Sequence, residues 1–174
     1  VNNLLEQQTH DDTLHLLLLD ASEDGVDQIT RGLEQYDDLA AIHFLSHGTD
    51  GNLRLGGTWL DADHVSGYAG QIAGWGEALA EGGDLLFYGC DLAASEEGRT
   101  LLEAIHELTG KDVAASIDTT GHATLGGDWT LEFTLGQVTT PELLSAHMQS
   151  SWLHVMSSET IQDNFADFHY SGSD

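Results

Sequence analysis

AIHFLSHG, residues 41–48, completes an apolar run that starts at Leu39 and stops at the corner Ser46-His47-Gly48. A short unbroken apolar stretch ended by polar and glycine residues is the pattern of a strand covered on both faces. Its counterpart is LLFYGCD, residues 85–91, where a second such run stops at Tyr88-Gly89-Cys90-Asp91 and holds the one cysteine of 174 residues. Around these two strands the pattern alternates. LHLLLL, residues 14–19, predicts an earlier buried strand, and Val26, Ile29, Leu33 and Tyr36 recur at helical spacing after the turn at Asp24-Gly25. Leu53, Leu55, Trp59 and Leu60 around Gly56-Gly57 predict a small hairpin. Val65, Tyr68, Ile72, Trp75 and Leu79 mark a longer helix ended by Gly82-Gly83, and Leu101, Leu102, Ile105 and Leu108 mark another that Gly110 caps.

Val113 to Ile117 predicts a further strand, and the stretches 122–125 and 129–133 predict a hairpin about Gly126-Gly127-Asp128. Thr140-Pro141-Glu142 starts a last helix, continued by Leu144, Met148, Trp152 and Val155. This rhythm predicts an α/β domain: a mainly parallel sheet with helices on both faces, plus small hairpins. In such sheets the carboxyl ends of the strands form the functional edge. His47 and Cys90 both fall there, on consecutive long strands. An imidazole to take a proton and a sulfur to attack a carbonyl are the minimum equipment of a cysteine hydrolase.

Composition narrows the field. Thirty acidic residues against four basic ones give a formal charge of −26, which repels nucleic acid and anionic membrane surfaces and leaves no basic arm for phosphate. The same charge suits a setting rich in salt or divalent cations. No apolar stretch approaches the roughly 20 residues of a membrane helix, so membrane insertion is not expected. One cysteine forms no intrachain disulfide. One domain over residues 1–156 is expected, with 157–174 as a polar tail or linker. The start Val1-Asn2-Asn3, without initiator Met or secretory signal, reads as a segment of a longer polypeptide.

The two corners carry a family resemblance. Apolar strand, Ser-His-Gly, then apolar strand, x-Gly-Cys, resembles the caspase-like cysteine peptidase clan, which includes caspases, legumain, gingipains, clostripain and self-processing domains of bacterial toxins. Residues 24–29 (DGVDQI), 41–48, 85–93 (LLFYGCDLA) and 125–129 (LGGDW) are similar to a bacterial domain of uncharacterised function near the beginning of giant surface adhesins and calcium-binding repeat proteins. In those domains a strand precedes the position of Leu14, and no counterpart is found here. The resemblance implies a caspase-like three-layer sandwich and an extracellular or cell-surface place within a larger bacterial polypeptide. It also implies an endopeptidase that needs no cofactor and acts on peptide or protein, its own parent chain included.

Carried over by position, the resemblance puts the general base on His47, the nucleophile on Cys90 and the oxyanion hole on the backbone NH groups of Gly48 and Cys90. A missing side chain at Gly48 lets a carbonyl approach its donor. LGGDW resembles the legumain Leu-Gly-Asp-Trp stretch, so Asp128 would line the specificity pocket and select a basic or amide side chain, although one glycine is inserted. Asp118 is the reserve carboxylate; Tyr88, two before the cysteine, and Ser46 join the pocket. At Cys90 two effects oppose each other: a helix starting near residues 91–94 would favour thiolate, whereas Asp91 and the overall field favour thiol.

Other chemistries find less in the sequence. Cys90 and the ten histidines show no paired zinc-ligand spacing. Asp50-Gly51-Asn52, Asp61-Ala62-Asp63 and Asp118 offer oxygen ligands, so Ca2+ binding fits the charge without forming a helix-loop-helix site. Ser46 and Ser116 stand in no Gly-x-Ser-x-Gly elbow. The competing reading is a non-catalytic structural or anchoring module of a bacterial adhesin, with Cys90 a small buried apolar group and His47 and Asp128 turn residues. An open cleft between sulfur and imidazole favours the enzyme, and a filled one favours the module or a latent form.

Overall fold

The computed structural model describes residues 15–141, 149 and 154–156. Strand β1 (Leu39–Leu45) runs parallel to β5 (Leu79–Tyr88), with Ile42 opposite Leu85 and Leu45 opposite Tyr88. On the far side of β5 lies β6 (Asp112–Ala115), again parallel, and β7 (Phe133–Leu135) closes the sheet antiparallel to β6. The result is a mixed sheet of order β1-β5-β6-β7 with a parallel core. Between β1 and β5 in sequence, β2 (Gly48–Thr49), β3 (Asn52–Leu55) and β4 (Thr58–Leu60) form a small antiparallel sheet, the expected hairpin with one strand more.

The period-2 alternation of strands sorts the core into two layers. Phe44, Leu85, Phe87, Val113 and Ala115 face one way, and Leu86, Tyr88 and Ala114 face the other. The first face is covered by helices α1 (Gly25–Leu33), α2 (Ala69–Glu77) and α3 (Glu96–Thr109), which send in Val26, Ile29, Ile72, Trp75, Leu101, Leu102 and Ile105. The ends of α1 and α3 follow ordinary capping chemistry. The Asp24 carboxylate accepts from the Asp27 amide, Ser95 Oγ accepts from the Gly98 amide, and Gly110 at φ 64° stops α3. Trp75 Nε1 donates to Thr30 Oγ1 at 3.1 Å, joining α2 to α1.

The three described α-helices share one face. The opposite face is covered by Trp129, Met156, Leu131 and Val138. The last predicted helix lies outside the described residues except for Thr140, Pro141 and His154, which are not helical, Gln149, which is, and Val155, which forms an antiparallel bridge with Gly121 instead.

Three expectations are corrected. Residues 15–20 form no strand, and Leu16, Leu17 and Leu18 are 50%, 49% and 65% exposed. An apolar run becomes a strand only through a ladder of backbone hydrogen bonds, and none reaches this one among the described residues. Gly82-Gly83 does not end the helix: α2 stops at Glu77, β5 starts at Leu79, and the glycines form a bulge within it. There Gly82 takes φ 76° and the register slips between Leu39 opposite Leu79 and Ala41 opposite Asp84. The hairpin expected around residues 126–128 is a 3-10 turn, Ala123–Leu125, closed by Gly126 at φ 83°, because Phe133 pairs with Ala115 across to β6. Among the described residues no helix is long and apolar enough to cross a membrane.

Candidate functional site

The carboxyl ends of β1 and β5 meet at one corner. The Ser46 amide donates to the Tyr88 carbonyl at 3.4 Å, which extends the parallel pairing into the loops. Gly48 then lies on the Gly89-Cys90 peptide: a β-carbon there would come within 2.7 Å of the Cys90 oxygen and 3.0 Å of its nitrogen. Only glycine allows that approach. The turn is pinned to the small sheet as well, since the Arg54 amide donates to the His47 carbonyl at 3.0 Å and Ser46 Oγ to the Arg54 carbonyl. The Ser-His-Gly and Gly-Cys segments, far apart in sequence, are thus brought into contact, with the His47 residue half-buried beside them.

Cys90 is fully buried. Its Sγ accepts from the Thr120 amide at 3.2 Å and donates to the Thr120 carbonyl at 3.5 Å. Burial pushes the thiol up from its ordinary 9.0 to about 11; Asp91 pushes the same way, while the amides of Thr120 and Met156 pull against it. The opposing effects left open by the sequence resolve towards thiol. The favourable helix end is not there, because residues 91–94 are turns and α3 begins only at Glu96. Asp91 adopts φ 55°, the one left-handed non-glycine residue among those described, and its amide donates to the Asp118 carbonyl at 2.8 Å. The Ala93 amide reaches the Ser116 carbonyl at 2.9 Å, so the turn after Cys90 is tied to the loop after β6.

Beside the thiol is a buried apolar cluster of Leu86, Tyr88, Ala114, Trp129 and Met156. Tyr88 is completely buried and its ring lies 6.2 Å from that of Trp129 and 5.9 Å from that of His43. Asp128 and Asp118 sit elsewhere. Both are exposed, and with Glu132 they bring carboxylate oxygens within 4.8 Å of one another on the outer surface, a cluster that could hold a metal ion. The Asp128 carboxylate accepts from the Thr130 amide at 2.8 Å, and the next residue, Trp129, enters the buried cluster. Burial and the neighbouring Glu132 and Asp128 raise the Asp118 carboxyl. Asp50, Asp61 and Asp63 join no group of three ligands among the described residues.

Three residues that the sequence did not single out complete the site. Thr120 holds the thiol through its backbone, Trp129 packs against Tyr88 in the cluster beside it, and Met156 closes the corner. The segment 154–156 lies along residues 120–122: the His122 amide donates to the His154 carbonyl at 3.0 Å and the Met156 amide to the Thr120 carbonyl at 2.9 Å, about the Gly121–Val155 bridge. The Gly48 amide donates to the Met156 carbonyl at 3.3 Å. Gly121 permits this, since a β-carbon there would come within 2.5 Å of the His154 oxygen. The Trp in LGGDW was the available signal for Trp129; no spacing rule announces Thr120 or Met156.

His43, on β1 beneath the corner, supplies a pH dependence. Burial drives its imidazole from 6.5 down to about 4, with Asp84 opposing, and Nδ1 has no hydrogen-bond partner among the described residues. The folded state therefore disfavours the cation. As pH falls below 6.5 the unfolded chain takes up the proton first, so stability is full above 6.5 and declines until about 4. That window corresponds to about 3 kcal/mol. Urea denaturation at pH 7 and pH 4 should show His43→Phe losing about 3 kcal/mol less than the parent chain between the two; equal losses would contradict it.

An α/β domain of mixed, mostly parallel sheet, with a histidine-glycine corner packed on a glycine-cysteine corner at its carboxyl edge, is the class that fold and site define. The chain belongs to the family described as Domain of unknown function (DUF4347), whose family model matches residues 1–156. No curated protein and no solved structure matches it.

Proposed function

We propose that the chain is a cysteine endopeptidase of caspase-like type. The observation that carries this reading is the Gly48 amide, which lies against the Cys90 peptide and donates to a peptide carbonyl, that of Met156. A backbone donor beside a nucleophile and already aimed at an amide carbonyl is what acyl transfer requires. In the proposed reaction His47 takes the Cys90 proton as the sulfur attacks the carbonyl carbon. The amides of Gly48 and Cys90 hold the oxyanion, His47 passes the proton to the departing amine, and water hydrolyses the thioester. Tyr88 and Trp129 line the pocket for the residue before the cut bond. Their apolar surface, with Asp128 turned outward, replaces the basic specificity expected from LGGDW with a preference for apolar side chains.

Within this proposal no metal takes part in the chemistry. Ca2+ would bind at Asp118, Asp128 and Glu132, on the loops that hold Thr120 against the thiol, and so brace the site from outside. The enzyme would work at a bacterial cell surface as part of a larger polypeptide. Hydrolysis of peptide amides carrying methionine or leucine before the cut bond tests the reading. Turnover that disappears on alkylation of Cys90 is expected; no turnover of any peptide would overturn it.

One observation favours the second reading, a non-catalytic module: the thiol is buried and the corner is filled by Met156. A module keeps that arrangement permanently. A latent enzyme gives it up, and covalent labelling of Cys90 separates the two.

A further inference from the structure

Residues 154–156 are held as an enzyme holds a substrate strand. Their contacts to residues 120–122 are backbone hydrogen bonds of antiparallel type, the mode by which an extended peptide is added to a sheet edge independently of its sequence. One side chain is read. Met156 is 1% exposed and packs in the cluster of Leu86, Tyr88, Cys90, Ala114 and Trp129. Its carbonyl oxygen is the acceptor of the Gly48 amide. A strap whose only task was to cover the core would need the side chain; it would not need its carbonyl on the amide of Gly48, the residue that packs on the Cys90 peptide, nor a glycine, Gly121, whose missing β-carbon admits its backbone.

We propose that the chain is its own substrate, that the bond presented to Cys90 is the one on the carboxyl side of Met156, and that the pocket lined by Tyr88 and Trp129 selects methionine or another apolar side chain not branched at the β-carbon there. This rests on the peptidase reading above. The Cys90 sulfur forms a bond to the Met156 carbonyl carbon, and the carbon–nitrogen bond to the next residue breaks. The thiol proton leaves through His47 on the new amine. Water then adds to the thioester carbonyl, the carbon–sulfur bond breaks, and the thiol is restored with Met156 as a carboxylate. The product strand stays in place through the same backbone bonds until it is displaced, which makes the cut chain the resting form.

The test follows the full 174-residue chain in reducing buffer by intact mass and amino-terminal sequencing. A fragment ending at Met156 and a new amino terminus at Ser157 are expected from the parent chain and not from Cys90→Ala. Met156→Leu should be cut within about fivefold of the parent rate, and Met156→Asp at least about 100-fold more slowly, because a carboxylate does not enter an apolar pocket. Should Met156→Asp fail to fold, a synthetic peptide of residues 149–160 added to the parent chain asks the same question: cleavage after its methionine, and none with aspartate in that place, supports the proposal. If Cys90 is labelled and other peptides are hydrolysed while neither the chain nor this peptide is cut after Met156, the self-substrate proposal is overturned and the peptidase stands. If Cys90→Ala yields the same fragment, another protease makes it and the proposal is overturned. If no peptide is hydrolysed and Cys90 resists labelling, both fall.

Discussion

Cys90→Ala should lose at least ~10³-fold in peptide turnover while keeping its fold. The size of the loss follows from the proposed role: without sulfur no thioester would form, and what would remain is water attack on a carbonyl polarised by the Gly48 amide. The fold should persist because the change removes one sulfur from an apolar cluster, leaving the two Thr120 backbone groups that it bonded. Alanine ought to cost about 1–3 kcal/mol of stability, the range for a small cavity and one orphaned backbone pair. A second consequence appears at high pH. The thiol ionises near 9.0 when unfolded and at about 11 when folded, so the folded state is favoured below 9.0 and loses that advantage as pH rises through the interval. The alanine variant lacks this loss. Turnover equal to the parent, with chemical denaturation showing a native fold, would remove Cys90 from the mechanism.

Gly48→Ala is the second large effect, and it separates geometry from nucleophile. The new methyl group would lie 2.7 Å from the Cys90 oxygen, 2.8 Å from the Gly89 carbon and 3.0 Å from the Cys90 nitrogen. All three are backbone atoms of the strand-end turn, which is tied onward to Ser116 and Asp118 and has no flexible end to swing away. The two corners must separate. A cost of about 1–3 kcal/mol in stability is expected from the overpacking. Because the Gly48 amide moves with the chain, turnover should fall at least ~100-fold, the effect of losing one oxyanion donor. The fall should lie in kcat more than in KM, since the donor acts on charge that develops in the transition state. A variant that is destabilised but retains full kcat would place the oxyanion elsewhere.

Much of this arrangement is legible in the residues. The runs ending at Leu45, Tyr88 and Ala115 are parallel strands; β5 and β6 are apolar because both of their faces are buried, whereas β1, at the end of the sheet order, buries only Phe44 fully, and the helices with clean 3.6-residue spacing and caps, α1 and α3, fall where periodicity puts them. His47, Gly48 and Cys90 share a corner because neighbouring parallel strands end at one edge, which the sequence order already implies. The remainder depends on partners that a local pattern does not contain. LHLLLL has the composition of a buried strand, yet a strand exists only with a neighbour to bond. Gly82-Gly83 punctuates the sequence in the same way whether it ends a helix or bulges a strand. Asp128 and Trp129 are adjacent, and which of them turns inward is decided by the pairing of residue 128 with residue 120. Met156 reaches Gly48 through bridges of single residues, and an antiparallel contact that short has no period to read.

In the proposed enzyme His47 and Cys90 act together on a carbonyl delivered to the Gly48 amide. The most direct test of this is covalent labelling of Cys90 by an acyloxymethyl ketone probe carrying methionine as the leading residue, followed by intact mass, in the parent chain and in His47→Ala. One adduct on Cys90 is expected in the parent, with labelling at least ~100-fold slower in His47→Ala, the share that a positioned base contributes. Equal labelling of the two proteins, or none in either, would contradict it.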